Sequence, residues 1–198
     1  SDDAVPVLEV SHLSTTFSTA RGPLKAVDDV SLTLQRGETL GVVGESGSGK
    51  SVLVRSIMNI LGSRAIVSPS SQVLFEGRNT RALTKAEARH FWGREIAMVF
   101  QDPMTSLNPV RKIGHQIVDP IRYHLGLDAK SATERAVELL DRVGIPAARR
   151  RLGEYPHQLS GGMRQRVTIA IAIACEPKLL IADEPTTALD VTVQKQIL

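Results

Sequence analysis

The chain has 198 residues, 42% of them hydrophobic and 23% charged, an ordinary globular usage that makes disorder, collagen-like repeats and coiled coil poor accounts of the whole. That length predicts one domain, with room for an inserted subdomain. A net charge of only +3, from 24 basic and 21 acidic residues, implies no nucleic-acid partner.

The start, Ser1-Asp2-Asp3, is acidic and no apolar run follows it, so neither a secretory signal nor a transit peptide is expected. Val7 to Val10, Val30 to Leu34, Leu40 to Val43 and Val73 to Phe75 read as strands. Ser31-Leu32-Thr33-Leu34 alternates polar and apolar residues, as a half-exposed strand does, whereas Leu40-Gly41-Val42-Val43 is apolar throughout and predicts a buried parallel strand. A Gly-rich loop opens at Gly44, and Val52 to Leu61 then carries apolar residues at helical spacing. Thr84-Lys85-Ala86-Glu87 and Ser131-Ala132-Thr133-Glu134 both match a capping box. The second predicts a helix with Ala136, Leu139, Leu140 and Val143 on one face, stopped by Gly144.

Ile96 to Phe100 and Leu179 to Ala182 are further buried-strand candidates, and each runs into polar residues at its carboxyl end, the edge at which open α/β sheets hold ligands. From Asp102 to His157 the pattern is helical and loop-rich, which predicts a helical subdomain, 102–158, between the two parts of an α/β core, 1–101 and 159–198. Arg149-Arg150-Arg151 within it is expected to be a solvated face. The longest apolar stretch, Val167 to Cys175, falls well short of the roughly 18 residues of a membrane-spanning helix. The lone Cys175 excludes an internal disulfide and suits a small buried hydrophobe in a reducing, cytosolic setting.

Gly44-Glu45-Ser46-Gly47-Ser48-Gly49-Lys50-Ser51 fits G-x-x-x-x-G-K-[ST], with the strand before it and the helix after it that the mechanism requires. Glycines let backbone N–H groups turn around phosphate oxygens, Lys50 reaches the β/γ-phosphates of ATP, and the Ser51 hydroxyl ligates Mg²⁺. Leu179-Leu180-Ile181-Ala182-Asp183-Glu184 is an apolar strand ending in two carboxylates. Asp183 is placed to hold Mg²⁺ through water and Glu184 to polarise an attacking water as general base.

Leu159-Ser160-Gly161-Gly162-Met163-Arg164-Gln165-Arg166 lies just upstream of that strand, at the start of a helix predicted through Ala174. A hydroxyl, glycine backbone and a helix dipole end converge there on a second anion site. The octapeptide resembles the signature motif of ATP-binding-cassette (ABC) ATPases, and the order of the motifs is that family's. The resemblance implies a P-loop NTPase (RecA-like) α/β core with an N-terminal antiparallel β region and an inserted helical subdomain. It also implies that Ser160, Gly161 and Gly162 bind the γ-phosphate held by a second ATPase subunit, so that ATP joins two subunits head to tail.

Further positions resemble family elements: Gln101 the Q-loop glutamine at Mg²⁺ and the attacking water, Asp190 the D-loop aspartate at the opposite subunit's phosphate loop, and Phe17 the aromatic that stacks on adenine. Phe100-Gln101-Asp102-Pro103-Met104-Thr105-Ser106-Leu107-Asn108-Pro109 and Tyr155-Pro156-His157-Gln158-Leu159-Ser160-Gly161-Gly162-Met163 are similar to the peptide and nickel importer branch. That branch implies a heterodimer of ATPases, two transmembrane permease subunits, an extracytoplasmic peptide-binding protein and a place on the cytoplasmic face of the bacterial plasma membrane. On this reading residues 102–157 are the docking surface for the permeases, where Met104, Leu107 and Val110 either meet a partner helix or pack internally. The family's switch histidine has no counterpart after His157, and Leu198 is expected to fall inside the helix after the D-loop, as in a fragment of a longer protein. A soluble ABC-class ATPase of DNA repair or translation is an alternative, which a coiled-coil or zinc insertion between the motifs would favour. A nucleotide-binding regulatory cassette is another, against which the intact Lys50 and Glu184 stand.

Overall fold

Residues 5–100 and 106–183 are described by a computed structural model, and they divide after Glu87 into two units. Gln101, Met104, Glu184 and Asp190, all singled out above, lie outside the described residues.

The first unit is built on a long hairpin. Strand β1 (Leu8–Thr19) runs antiparallel to β2 (Gly22–Leu34), from Leu8 opposite Leu34 to Thr19 opposite Gly22. Bulges shift the register between Val10 and Thr16 and bend the ribbon. The alternation expected at Ser31 to Leu34 is present, with Leu34 buried and Ser31 and Thr33 exposed. Helix α1 (Lys50–Ile57) follows, then β3 (Ala65–Val67), β4 (Gln72–Phe75) and the two-residue β5 (Arg78–Asn79). The sheet order is β2-β1-β4-β5, and β3 extends the β1 edge beyond β4. Val10, Leu13, Val73 and Phe75 form its buried face. A fully buried polar pair fastens α1 to β1: Ser56 donates its proton to the Val52 carbonyl at 2.7 Å, so the hydroxyl of Thr15, 2.8 Å away, is the donor to Ser56.

Leu40 to Val43 departs from expectation. It pairs with no strand among the described residues, and Val43 is 93% exposed. A parallel strand needs a parallel neighbour, and every strand pair in this unit is antiparallel.

Helix α2 (Lys85–Phe91) spans the division between the units and opens on the expected capping box: Glu87 N–H donates to Thr84 Oγ1 at 3.3 Å while Glu87 Oε2 accepts from Thr84 N at 2.8 Å. In the second unit β6 (Ile96–Val99) precedes α3 (Ile113–Leu125), α4 (Ala129–Arg142), the short α5 (Ala148–Arg151), α6 (Gly161–Ile173) and β7 (Leu179–Ala182). Strands β6 and β7 pair in parallel, Ile96 opposite Leu179 and Val99 opposite Ala182. All of β6 is buried, whereas Leu180 and Ala182 of β7 are exposed, as on the open face of a two-stranded sheet. Ile113, Ile117 and Ile121 project from one side of α3 into a core with Ala132, Ala136, Leu139, Leu140 and Val143, the predicted face of α4, and with Val167 and Ala170 of α6. Cys175 is buried in that core, which pushes its thiol pKa up.

One detail corrects the sequence reading and a second decides between alternatives it left open. Helix α4 starts at Ala129 rather than at a Ser131 cap, because Asp128 accepts from the Ser131 N–H at 2.7 Å and ends the extended chain three residues earlier. Leu107 is buried at 3% and belongs to the core, whereas Val110, three residues on, is 80% exposed. Internal packing is therefore the fate of Leu107. Arg149 pairs with Glu134 at the surface, as the expected solvated face requires, whereas the Arg151–Glu154 pair is half-buried.

Backbone and arginines close the helix ends in this unit. No side chain caps α3; its first two N–H groups, of Ile113 and Gly114, donate to the carbonyls of Glu154 and Leu152, each at 2.8 Å. Arg135 of α4 donates to the Ala174 carbonyl at the end of α6 (3.0 Å) and pairs with Glu176 (2.8 Å), while Arg166 of α6 donates to the Gly144 carbonyl just past α4 (2.9 Å). Each helix thus supplies a cation to the negative end of the other.

In a helix, Gly→Ala normally gains about 1 kcal/mol. A Cβ on Gly114 would lie 2.8 Å from the Leu152 carbonyl oxygen, so Gly114→Ala is expected to reverse that sign and lower the melting temperature, as followed by circular dichroism.

Candidate functional site

In the first unit the chain between β2 and α1 forms a loop around one cation. Lys50, the first residue of α1, turns its ammonium back and donates to the carbonyls of Gly44 (2.7 Å) and Glu45 (2.9 Å), while Ser48 N–H donates to the Glu45 carbonyl at 3.2 Å. Two carbonyls of the loop are thereby held inward on the lysine. Gly49 caps the helix with φ at +92°, and a Cβ there would lie 2.3 Å from the Ala26 carbonyl oxygen, so only glycine fits. Gly47 is also left-handed, while Ser46 and Ser48 are exposed and Ser51 sits half-buried in the first turn of α1. A cleft of about 410 Å³ opens beside the loop, lined by Lys25, Ala26, Val42, Gly44, Lys50 and Leu53 among others. One fixed cation and the positive end of a helix face it, a disposition suited to an anion with several oxygens. Phe17 stands half-buried in β1, opposite Leu24 and Ala65, and is not among the residues lining this cleft.

In the second unit α6 starts where predicted and Ser160 caps it, its Oγ accepting from the Met163 N–H at 3.2 Å. The hydroxyl proton is not used in that bond. Ser160 and Gly161 are exposed, so an oxyanion has access to the hydroxyl and to the helix start. At the carboxyl end of the β6–β7 pair, Asp183 follows directly on β7; its N–H donates to the Val99 carbonyl at 3.0 Å and the residue is 7% exposed. A carboxylate at that edge and the Ser51 hydroxyl are hard oxygen donors of the kind Mg²⁺ selects. No group of three or more His, Cys, Asp or Glu residues able to hold a metal is present among the described residues, and none of their helices is long and apolar enough to cross a membrane. Sequence reasoning missed Arg164, whose guanidinium donates to the carbonyls of Pro156 (3.3 Å) and Leu159 (3.0 Å) just before Ser160. An arginine four residues into the helix offered the only signal.

The ABC transporter family profile matches residues 27–187. The chain belongs to the ABC transporter family. Over 198 residues it is 53% identical to a protein of Brucella melitensis, and over 193 residues 57% identical to one of Brucella abortus; both names contain the words peptide import ATP-binding protein. Each match covers 98% of this chain, which spans 59% and 58% of the two relatives' own lengths. Among solved structures, the ATP-binding cassette MJ0796, described as a dimer in a post-hydrolysis state bound to ADP and Pi, superposes with a TM-score of 0.84 at 27% identity, covering 96% of this chain and 79% of that one. A second dimeric structure of MJ0796, described as a bacterial ABC transporter cassette, matches equally well.

Two substitutions probe these helix starts. Ser160→Ala removes the cap of α6 and is expected to lower unfolding free energy by about 1 kcal/mol in urea titrations. Gly49→Ala is expected to cost more than Ser160→Ala in the same titration, because strain and a backbone clash coincide there.

Proposed function

We propose that this chain is part of the ATP-binding and hydrolysing subunit that energises a bacterial ABC importer for peptides. The observation that carries the reading is the Lys50 ammonium held between the carbonyls of Gly44 and Glu45 at a helix start that only glycine can form. Gly44 to Ser51 bind the phosphates of ATP, Lys50 neutralises the β/γ-phosphates, and Phe17 contributes to the adenine side. Ser51, Asp183 and Gln101 are the residues that would hold Mg²⁺, which would supply neutralisation of phosphate charge, and Glu184 is the proposed general base. Ser160, Gly161 and Gly162, with Asp190, face the nucleotide of a second ATPase subunit, and that pairing is a heterodimer. In this proposal the core is 1–101 with 159–198 and the helical subdomain is 102–158. Two permease subunits carry the assembly on the cytoplasmic face of the membrane, and an extracytoplasmic binding protein delivers the peptide. The names of the Brucella relatives and the MJ0796 dimers support this reading.

In the full-length protein, Lys50→Ala is expected to abolish tight MgATP binding by titration calorimetry, and undiminished affinity would refute the phosphate-loop assignment. Glu184→Gln is expected to retain ATP binding while turnover falls by about 10²–10⁴-fold. Steady-state phosphate release checks it; turnover near that of the wild type would remove Glu184 from the role of base.

For permease docking, the exposed Val110 is the residue to test, since Leu107 is buried. It lines a shallow hollow of about 300 Å³ with Arg111, Lys112, His115 and Tyr155, an apolar contact with a cationic rim. Val110→Glu is expected to uncouple transport in reconstituted vesicles with ATP affinity unchanged, and a cysteine at that position should crosslink to a permease subunit.

A further inference from the structure

We infer that Arg164 is a positioning residue that sets the direction in which the start of α6 presents Ser160. The inference rests on the proposed reading of Ser160 as a contact to the partner subunit's nucleotide. Residues Pro156–Gln158 form a single 3₁₀ turn whose ends, Pro156 and Leu159, are buried, and Gln158 Oε1 accepts from the Tyr155 N–H at 2.8 Å. One nitrogen of Arg164, Nη1, donates to carbonyls at both ends of this turn, Pro156 at 3.3 Å and Leu159 at 3.0 Å. Among the described residues the guanidinium thus spends its hydrogen bonds on backbone rather than on a carboxylate, with its Nε buried.

The bond to Leu159 matters most. The Leu159 carbonyl and the Ser160 N–H belong to one planar trans peptide, so a guanidinium that fixes the oxygen also fixes the N–H pointing the opposite way. It limits rotation of the peptide that leads into the Ser160 side chain. Gly161 lies against the same group, with Arg164 Nη2 4.0 Å from where its Cβ would be. The upstream side of the turn is tied as well, since Leu152 and Glu154 cap α3, and Gln116 of α3 donates to the carbonyls of Asn108 and Arg111, both at 2.9 Å. Arg164 is the last link between that anchored backbone and Ser160.

The test uses the full-length protein carrying Glu184→Gln to hold the ATP state, with Arg164→Met, which keeps the apolar stem and removes every donor, and Arg164→Lys, which restores a donor on a stem of similar reach. Three readouts are taken: MgATP affinity of the isolated subunit, the ATP concentration that half-drives dimer formation with the second ATPase subunit in size-exclusion chromatography, and nucleotide-free amide exchange over residues 156–163. Arg164→Met is expected to raise the half-driving ATP concentration about tenfold or more, to speed exchange at Ser160 and Gly161, and to leave subunit affinity within about twofold; Arg164→Lys should recover most of the dimer. A methionine variant that dimerises like its Arg164 parent, or a folded lysine variant as defective as methionine, overturns the role. Should Arg164→Met fail to fold, the lysine variant decides: dimerisation near that of the parent upholds the donor role and a tenfold loss overturns it. A parent protein that forms no ATP-driven dimer with the second ATPase subunit would overturn the reading of Ser160 itself, and unchanged exchange in Arg164→Met would overturn the positioning role alone.

Discussion

The carbonyl of Ala26 allows nothing larger than hydrogen on Gly49, and the chemistry of the first unit depends on that exclusion. Because the chain turns left-handed there without a side chain, α1 starts hard against β2, and the loop before it closes on Lys50 instead of spreading into solvent. An ammonium held by two carbonyls has a fixed place, so little conformational entropy is lost when an anion meets it. The buried Thr15–Ser56 pair then keeps the far end of α1 on β1, so the helix that carries the loop rests on the hairpin at both ends.

The second unit reaches a comparable result with different materials. Ser160, a hydroxyl in place of left-handed glycine, satisfies the Met163 N–H of its own helix and keeps a proton for an incoming oxygen. Lys50 offers a positive charge, while Ser160 offers a directed hydroxyl and no net charge. The core behind α6 is apolar and shared with α3 and α4, so the helix that carries Ser160 and Arg164 is itself held by packing.

What the sequence revealed and what it hid follow from the range of the interactions. The Thr84–Glu87 box, the Ser160 cap and the apolar face of α4 are set within four residues of chain, where local spacing decides. At Ser131 the same local pattern misled, since Asp128 three residues earlier offers an equally good cap and competes for the same N–H groups. Leu107 and Val110 are both apolar in one Pro-bounded loop, and only the position of α3 and α4 decides which is covered. Leu40 to Val43 has the composition of a buried strand, yet composition cannot supply a parallel neighbour. The contacts of Ala26 with Gly49 and of Leu152 with Gly114 are backbone meetings across 23 and 38 residues, and no side-chain pattern announces them.

The exchange of arginines between α4 and α6 fixes more than two helix ends. Arg135 reaches past the end of one helix and Arg166 past the end of the other, so the two contacts sit at opposite ends of an antiparallel pair. Sliding either helix along its axis stretches one contact as it compresses the other, and a displacement of one turn, about 5.4 Å, breaks both. Rotation of the pair as a single body costs neither. Resistance to slip between α4 and α6 therefore comes from these two polar contacts at the helix ends as well as from the apolar seam that the helices share.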